Sequence, residues 1–171
     1  MYPEEYIEFL VHFHGDRDYF ECHEVLEEYW KKVDIHNKKS IWVGFILLAV
    51  ANYHHRRKNY SGANKTLTKA IIIFEENHEQ LALLAIDGHK LGKLLHNHLQ
   101  EIIATKHYSS YNLPIFDQTL LLNCKQISAQ KNLPWGKSSN LKNKELIHRH
   151  CRRDRSEVIQ ERLDAFKKRK K

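Results

Sequence analysis

The sequence predicts an all-α protein, a single multi-helix bundle or irregular helical array of about six to seven helices. Three observations predict this. The 171 residues hold only six Gly and three Pro, too few for a loop-rich or all-β chain. Apolar residues recur at helical spacing, as in Tyr19, Cys22, Leu26, Trp30 and Val33. No run alternates with period two long enough to compete as a strand.

The elements follow in order. Pro3 to His14 reads as a first helix, with Pro3, Glu4 and Glu5 suited to a first turn and Tyr6, Ile7, Leu10 and Val11 as its apolar stripe. Gly15 lets the chain turn. Asp18 then caps a second helix running through Val33, with Glu21 three residues on to complete a capping box. Ser40 caps a third, from Ile41 to about Lys58. Trp42, Phe45, Ile46, Leu48, Ala49 and Val50 surround most of its circumference, so it is a core helix, and Gly44 allows a close crossing. His54 continues its buried side.

Ser61 is expected to cap a fourth helix carrying Ala63, Leu67, Ala70, Ile71 and Phe74. A break at Glu75–Glu79 and a helical turn or two over Leu81–Ile86 come next. Asp87 caps a fifth helix with Leu91, Leu94, Leu95, His98 and Ile102 inward, where His98 reads as a satisfied core histidine. Lys106 to Phe116 is irregular. Asp117 begins a sixth helix through Leu120, Leu121, Cys124 and Ile127. The turn-rich stretch Asn132–Asn143 reads as a linker that Trp135 pins to the body. A last, continuous helix is expected from Asn143 or Lys144 to the end. The domain plan is therefore a helical core over 1–131, a linker over 132–143 and a basic helical arm over 144–171.

Charge separates these parts. Residues 141–171 hold 12 Lys and Arg against 5 Asp and Glu, a net of +7. That equals the whole chain's +7, so the first 140 residues are neutral and any polyanion affinity belongs to the arm. The residues expected to carry it are Arg149, Arg152, Arg153, Lys167, Lys168 and Arg169, which suits phosphate contacts without sequence readout. The three cysteines, Cys22, Cys124 and Cys151, are widely spaced and form no CxxC pair, which argues against a disulfide framework or a structural zinc site. The N-terminus is acidic and lacks an apolar signal core. The longest apolar run, Ile41–Ala51, is 11 residues, against about 20 for a membrane span. A soluble, cytoplasmic protein without a membrane partner is expected. There is no GxSxG elbow and no Gly-rich phosphate loop, and Cys22 lies about 100° round the helix from His23, so nucleophilic catalysis is disfavoured.

The chemistry concentrates on the second helix. His23 and Glu27 are i,i+4 neighbours, with Cβ atoms about 6 Å apart, and Glu24 lies a little further round. A buried carboxylate needs a donor. His23 can supply one, and His54, His55, Arg56 and Arg57 at the end of the third helix can supply others. A polar cluster of His23, Glu24, Glu27, His54 and Arg57 is therefore expected. Its first reading is a buried hydrogen-bonded network that sets helix register in a non-enzymatic binding or scaffold protein with an unidentified protein partner. The alternative is a divalent metal held by His23, Glu27 and His54, with Glu24 as general base of a metal-dependent hydrolase, because His23-Glu24-x-x-Glu27 is an HExxH layout with Glu in place of the second His. Polyanion or nucleic-acid binding by the arm is a further alternative.

The same residues carry a family resemblance. Tyr19-Phe20-Glu21-Cys22-His23-Glu24-Val25-Leu26-Glu27-Glu28-Tyr29-Trp30 resembles the signature of a bacterial family catalogued as domain of unknown function 309. Its second half is similar to Gly44–Ala63, through Tyr53-His54, an Arg, Asn59 and Gly62-Ala63. The likeness covers roughly Tyr2 to Phe74. Arg153-Asp154-Arg155-Ser156 looks like an extension of Bacillus-type members. The resemblance implies an all-α, multi-helix fold and no established activity. Val43 and Leu47 stand where the family often has Gln, and Lys58 where it tends to have Gly. A polar site lined by those Gln side chains would be drier and smaller in this chain.

Overall fold

The computed structural model describes residues 1–149 and 156–169, and of 156–158 and 169 only the backbone. Nine helices lie among these residues: α1 (Glu4–His14), α2 (Tyr19–Val33), α3 (Ile41–Arg56), α4 (Tyr60–Glu76), α5 (His78–Leu83), α6 (Gly88–Ile103), α7 (Gln118–Gln130), α8 (Lys144–Ile147) and α9 (Ser156–Arg169). Seven are long; α5 and α8 are a turn or so each. No strand occurs among the described residues, only an isolated bridge between Ile86 and Ile115. No described helix is long and apolar enough to cross a membrane.

Side-chain caps fix the starts of α2, α3, α6 and α7. Asp18 accepts from Glu21 N, Ser40 from Trp42 N, Asp87 from Lys90 N and Asp117 from Thr119 N and Leu120 N. Two expectations change. The capping box at α2 is half-formed, because Asp16 rather than Glu21 receives Asp18 N–H. The cap of α4 is Asn59, which accepts from Gly62 N, so α4 starts one residue ahead of Ser61.

α3 is the centre. Its buried residues face several ways, as a helix apolar nearly all round must. α1 meets it through rings: Tyr6 and Phe9 pack on Phe45, and Tyr6 on Trp42. α2 and α4 flank it, and α4 comes close because Gly44 has no Cβ to strike Ile73 and Phe74. α6 packs on α4, and α7 on α1. Val33, expected inside the apolar arc of α2, is instead half-exposed at that helix's end.

The segment after α7 is fastened, as Trp135 suggested. Its ring stacks on His14 with centroids 4.5 Å apart, and Gly136 N–H donates to His14 O. The fully buried Arg17 holds it from beneath. Nε donates to Lys137 O, Nη1 to Phe13 O and Tyr111 O, and Nη2 to Asn112 Oδ1. The helix expected to run unbroken from residue 144 does not. α8 stops at Ile147, where His148 leaves helical geometry.

Candidate functional site

α2 aims four chemistry-bearing side chains at one spot. His23 Nε2 lies 2.9 Å from Glu27 Oε2, His23 Nδ1 lies 3.3 Å from Glu24 Oε1, and Lys31 Nζ lies 2.9 Å from Glu27 Oε1. A ring protonated on both nitrogens donates to both carboxylates at once. The hydrogen bond from His23, against partial burial and backed by Lys31, brings the Glu27 carboxyl down to about 2. Lys31 is pushed up in return by Glu27. The cluster is half-buried rather than buried, with His23 at 26% and Glu27 at 33% side-chain exposure.

The second half of the expected cluster is arranged differently. The α3 histidine that turns inward is His55, not His54. The two lie about 100° apart on the helix, and the inward phase belongs to Ala51 and His55. His54 is half-buried, its Nδ1 is met by Asn59 Nδ2 at 3.2 Å, and burial together with Arg57 lowers its pKa. Arg56 turns away from α2's carboxylates. It donates to Arg17 O, Ser139 Oγ and Leu146 O, with its guanidinium over the Tyr19 ring. Arg57 donates from Nε to His148 Nδ1 and lies over the Tyr53 ring.

Among the described residues, the atoms grouped as a metal would need belong to His23, Glu24 and Glu27, all within 4.8 Å of one another. His54 does not join them. The third ligand atom comes from Glu24 on the same helix, so Glu24 could not serve at the same time as a free general base.

His23 and Glu27 also stand in the wall of a groove of about 560 Å³ between α2, α3 and α4. Trp30 continues the α2 wall. Val43, Ile46 and Leu47 form the floor from α3, and Ile72 and Ile73 close the α4 side. Lys38, Lys39, Lys69 and Glu76 ring the rim. Sequence reading missed this groove, because it arises from how three helices splay. The one signal was Val43 and Leu47, which stand where the family often has Gln and which line the floor.

Arg149 Nη2 lies 3.2 Å from the buried Asp18 Oδ2, so this cation is spent on the N-cap of α2. Lys167 and Lys168 are exposed on α9. Arg152 and Arg153 lie outside the described residues, as does the Arg169 side chain. Cys22 is fully buried, burial pushes its thiol well above its usual range, and the thiol donates weakly to Phe9 O, so it is inert.

Two buried histidine sites also escaped the sequence reading in their detail. His98 is buried as expected, and its Nε2 lies 3.3 Å from His55 Nδ1. His55 Nε2 donates to Lys106 O, so His98 must be the donor between the rings. His14 donates from Nδ1 to Leu10 O and accepts Leu113 N–H at Nε2.

Comparison with known proteins gives a family and no activity. The family model described as Domain of unknown function (DUF309) matches residues 6–66, which hold α2, α3 and the His23–Glu27 pair. An uncharacterized protein of Bacillus subtilis (strain 168), YpuF, is 44% identical over all of this chain and 98% of its own length. No solved structure matches. With one relative aligned from end to end and the family model matching across α2 and α3, the chain belongs to the DUF309 family.

Proposed function

We propose that this is a non-enzymatic binding protein that receives its partner in the groove between α2, α3 and α4. One observation carries the reading. The groove holds about 560 Å³, within the size range of ligand sites, and has an apolar floor beside a few convergent polar groups. Val43 and Leu47 keep that floor apolar. The polar wall is already satisfied, since His23, Glu27 and Lys31 pair with one another. Paired groups of this kind orient a ligand without needing to act on it. The test is a fragment screen read by methyl and indole NMR shifts. Hits should move Val43, Leu47, Ile72 and the Trp30 indole. Hits that cluster elsewhere and leave these signals still would sink the reading.

A second reading is supported by the His23, Glu24 and Glu27 grouping at the groove's edge. In it the cluster holds a divalent metal and the groove is the substrate cleft of a metal-dependent hydrolase. Elemental analysis of protein purified without a His tag, with thermal melts in the presence and absence of chelator, separates the two. Stoichiometric metal and a chelator-sensitive melt favour the metal. A third reading is polyanion binding by the basic arm through Arg152, Arg153, Lys167, Lys168 and Arg169, with Arg149 paired to Asp18. Deletion after Asp164 should weaken salt-sensitive retention on heparin, and unchanged retention removes it.

A further inference from the structure

Resting on the groove-binding reading, we infer that the occupant is an acidic amphipathic helix of a partner protein, about two turns of it in contact. Charge bookkeeping at the rim is the first argument. Lys39 Nζ is paired with Glu76 Oε1 at 3.2 Å, and Glu27 with Lys31. Lys38 and Lys69 have no carboxylate within 4.0 Å among the described residues, and both are exposed. The groove is left with two uncompensated cations. Lys38 stands beside Lys39 and Glu76 at the start of α3, and Lys69 lies two turns back along α4.

Length is the second argument. Glu76 and Lys69 are seven residues apart on α4, as are Trp30 and His23 on α2. At about 1.5 Å per residue the trough is roughly 10 Å long, two helical turns. Three apolar side chains at i, i+4 and i+7 span that length. Ile72, 49% exposed midway along the α4 wall, is an apolar contact with nothing yet covering it.

Other occupants fit less well. A β-strand would need a free sheet edge, and no strand occurs among the described residues. A nucleic-acid backbone would lay its phosphates over an apolar floor. A single-chain fatty carboxylate could neutralise only one end of the trough. The chain's own α9 has a stripe of the right spacing, with Ile159, Leu163 and Phe166 each at least half-exposed. Arg162 and Lys167 flank that stripe at about 60–80°, and these would face Lys38 and Lys69 with like charge.

The test uses the full chain and two synthetic helical peptides read by fluorescence anisotropy. Each carries Leu at i, i+4 and i+7 on an Ala background. One has Glu at the flanking positions, the other Lys. The Glu peptide should bind at least tenfold tighter than the Lys peptide at low salt, with the contrast shrinking as salt rises. In the double variant Lys38→Glu/Lys69→Glu the order should reverse. Both lysines are exposed, so the variant should fold, which its melt checks. Equal or tighter binding of the Lys peptide overturns the acidic occupant but leaves the groove reading standing. Decanoate that displaces the Glu peptide from Val43 and Leu47 and binds more tightly overturns it in favour of a small amphiphile. Concentration-dependent self-association abolished by Leu163→Asp overturns it in favour of a second copy. If neither peptide nor decanoate shifts the groove methyls, the groove-binding reading fails with it.

Discussion

His23 and Glu27 face each other across one turn of α2, ring Nε2 to carboxylate Oε2 at 2.9 Å, and Lys31 holds the other oxygen at the same distance. Both side chains remain a quarter to a third exposed, so solvent screens the pair. Glu27→Gln should therefore cost about 0.5–1.5 kcal/mol at pH 7, less than a fully buried ion pair. The carboxyl sits at about 2 in the fold, below its ordinary value. Its contribution is present above the unfolded value, near pH 4.5, and is lost as pH falls toward 2. Urea unfolding of both proteins at pH 7 and pH 3 measures this. A cost above 3 kcal/mol at pH 7 would mean the pair is sealed from water.

At milder acid the protein should be destabilised through its histidines. His14 is held down to about 3, mainly by burial and by Arg17 nearby, against its bond to Leu10 O. His98 is held down to about 4 by burial and by His55. Burial lowers His55 as well. These rings are neutral in the fold, whereas the unfolded chain takes up their protons near pH 6.5, so stability falls as pH drops below that value. Between pH 7 and 5 His14 and His98 together should remove about 3–4 kcal/mol. Protonating His14 at Nε2 would also oppose Leu113 N–H, which now donates there. Urea midpoints that do not change from pH 7 to 5 would show these rings to be wetter than described.

How much of this was legible depends on whether a feature is local. Asp18, Ser40, Asp87 and Asp117 could be read as caps because an N-cap needs only its own next two or three residues. Asn59 and Ser61 both precede the same apolar stripe, and only the backbone at residue 62 chooses between them. His23 opposite Glu27 is intrahelical and could be read. His55 against His54 turns on a single 100° step, which the all-round apolar surface of α3 cannot phase. Arg17, Arg56 and the groove are tertiary. Their partners lie 39 to 120 residues away or on three different helices, apart from the bond of Arg17 to Phe13 O.

Arg17 should prove the costliest polar residue to remove. Its guanidinium is fully buried, and its four hydrogen bonds end on neutral oxygens of α1, the 106–116 loop and the 132–143 stretch. Arg17→Met leaves those carbonyls without donors, and a loss of about 3–5 kcal/mol is expected. Hydrogen exchange should accelerate around Tyr111–Leu113 and Trp135–Ser139, because the side chain joins both. Arg17→Lys should recover little, since one ammonium cannot reproduce the fork. Full recovery by Lys would mean that charge alone, not geometry, holds the two segments.

The approach of α3 to α4 makes a sharper test, because one substitution should act in opposite directions at two helical glycines. At Gly44 an added Cβ would lie 2.9 Å from Phe74 Cε1 and 3.0 Å from Ile73 Cγ2. The Phe74 ring cannot yield easily, since it is packed edge-on against Phe45, with centroids 5.0 Å apart. Overpacking of this kind costs about 1–3 kcal/mol, while Ala in place of Gly inside a helix returns about 1 kcal/mol. Gly44→Ala should therefore be destabilising by up to about 2 kcal/mol. At Gly92, inside α6, an added Cβ meets nothing within 4 Å. Only the propensity gain remains, so Gly92→Ala should raise stability by about 0.5–1 kcal/mol. Thermal and urea unfolding of the two variants side by side decides it. If both stabilise, α3 and α4 lie further apart than the Gly44 contact requires, and the groove they border with α2 would be correspondingly wider.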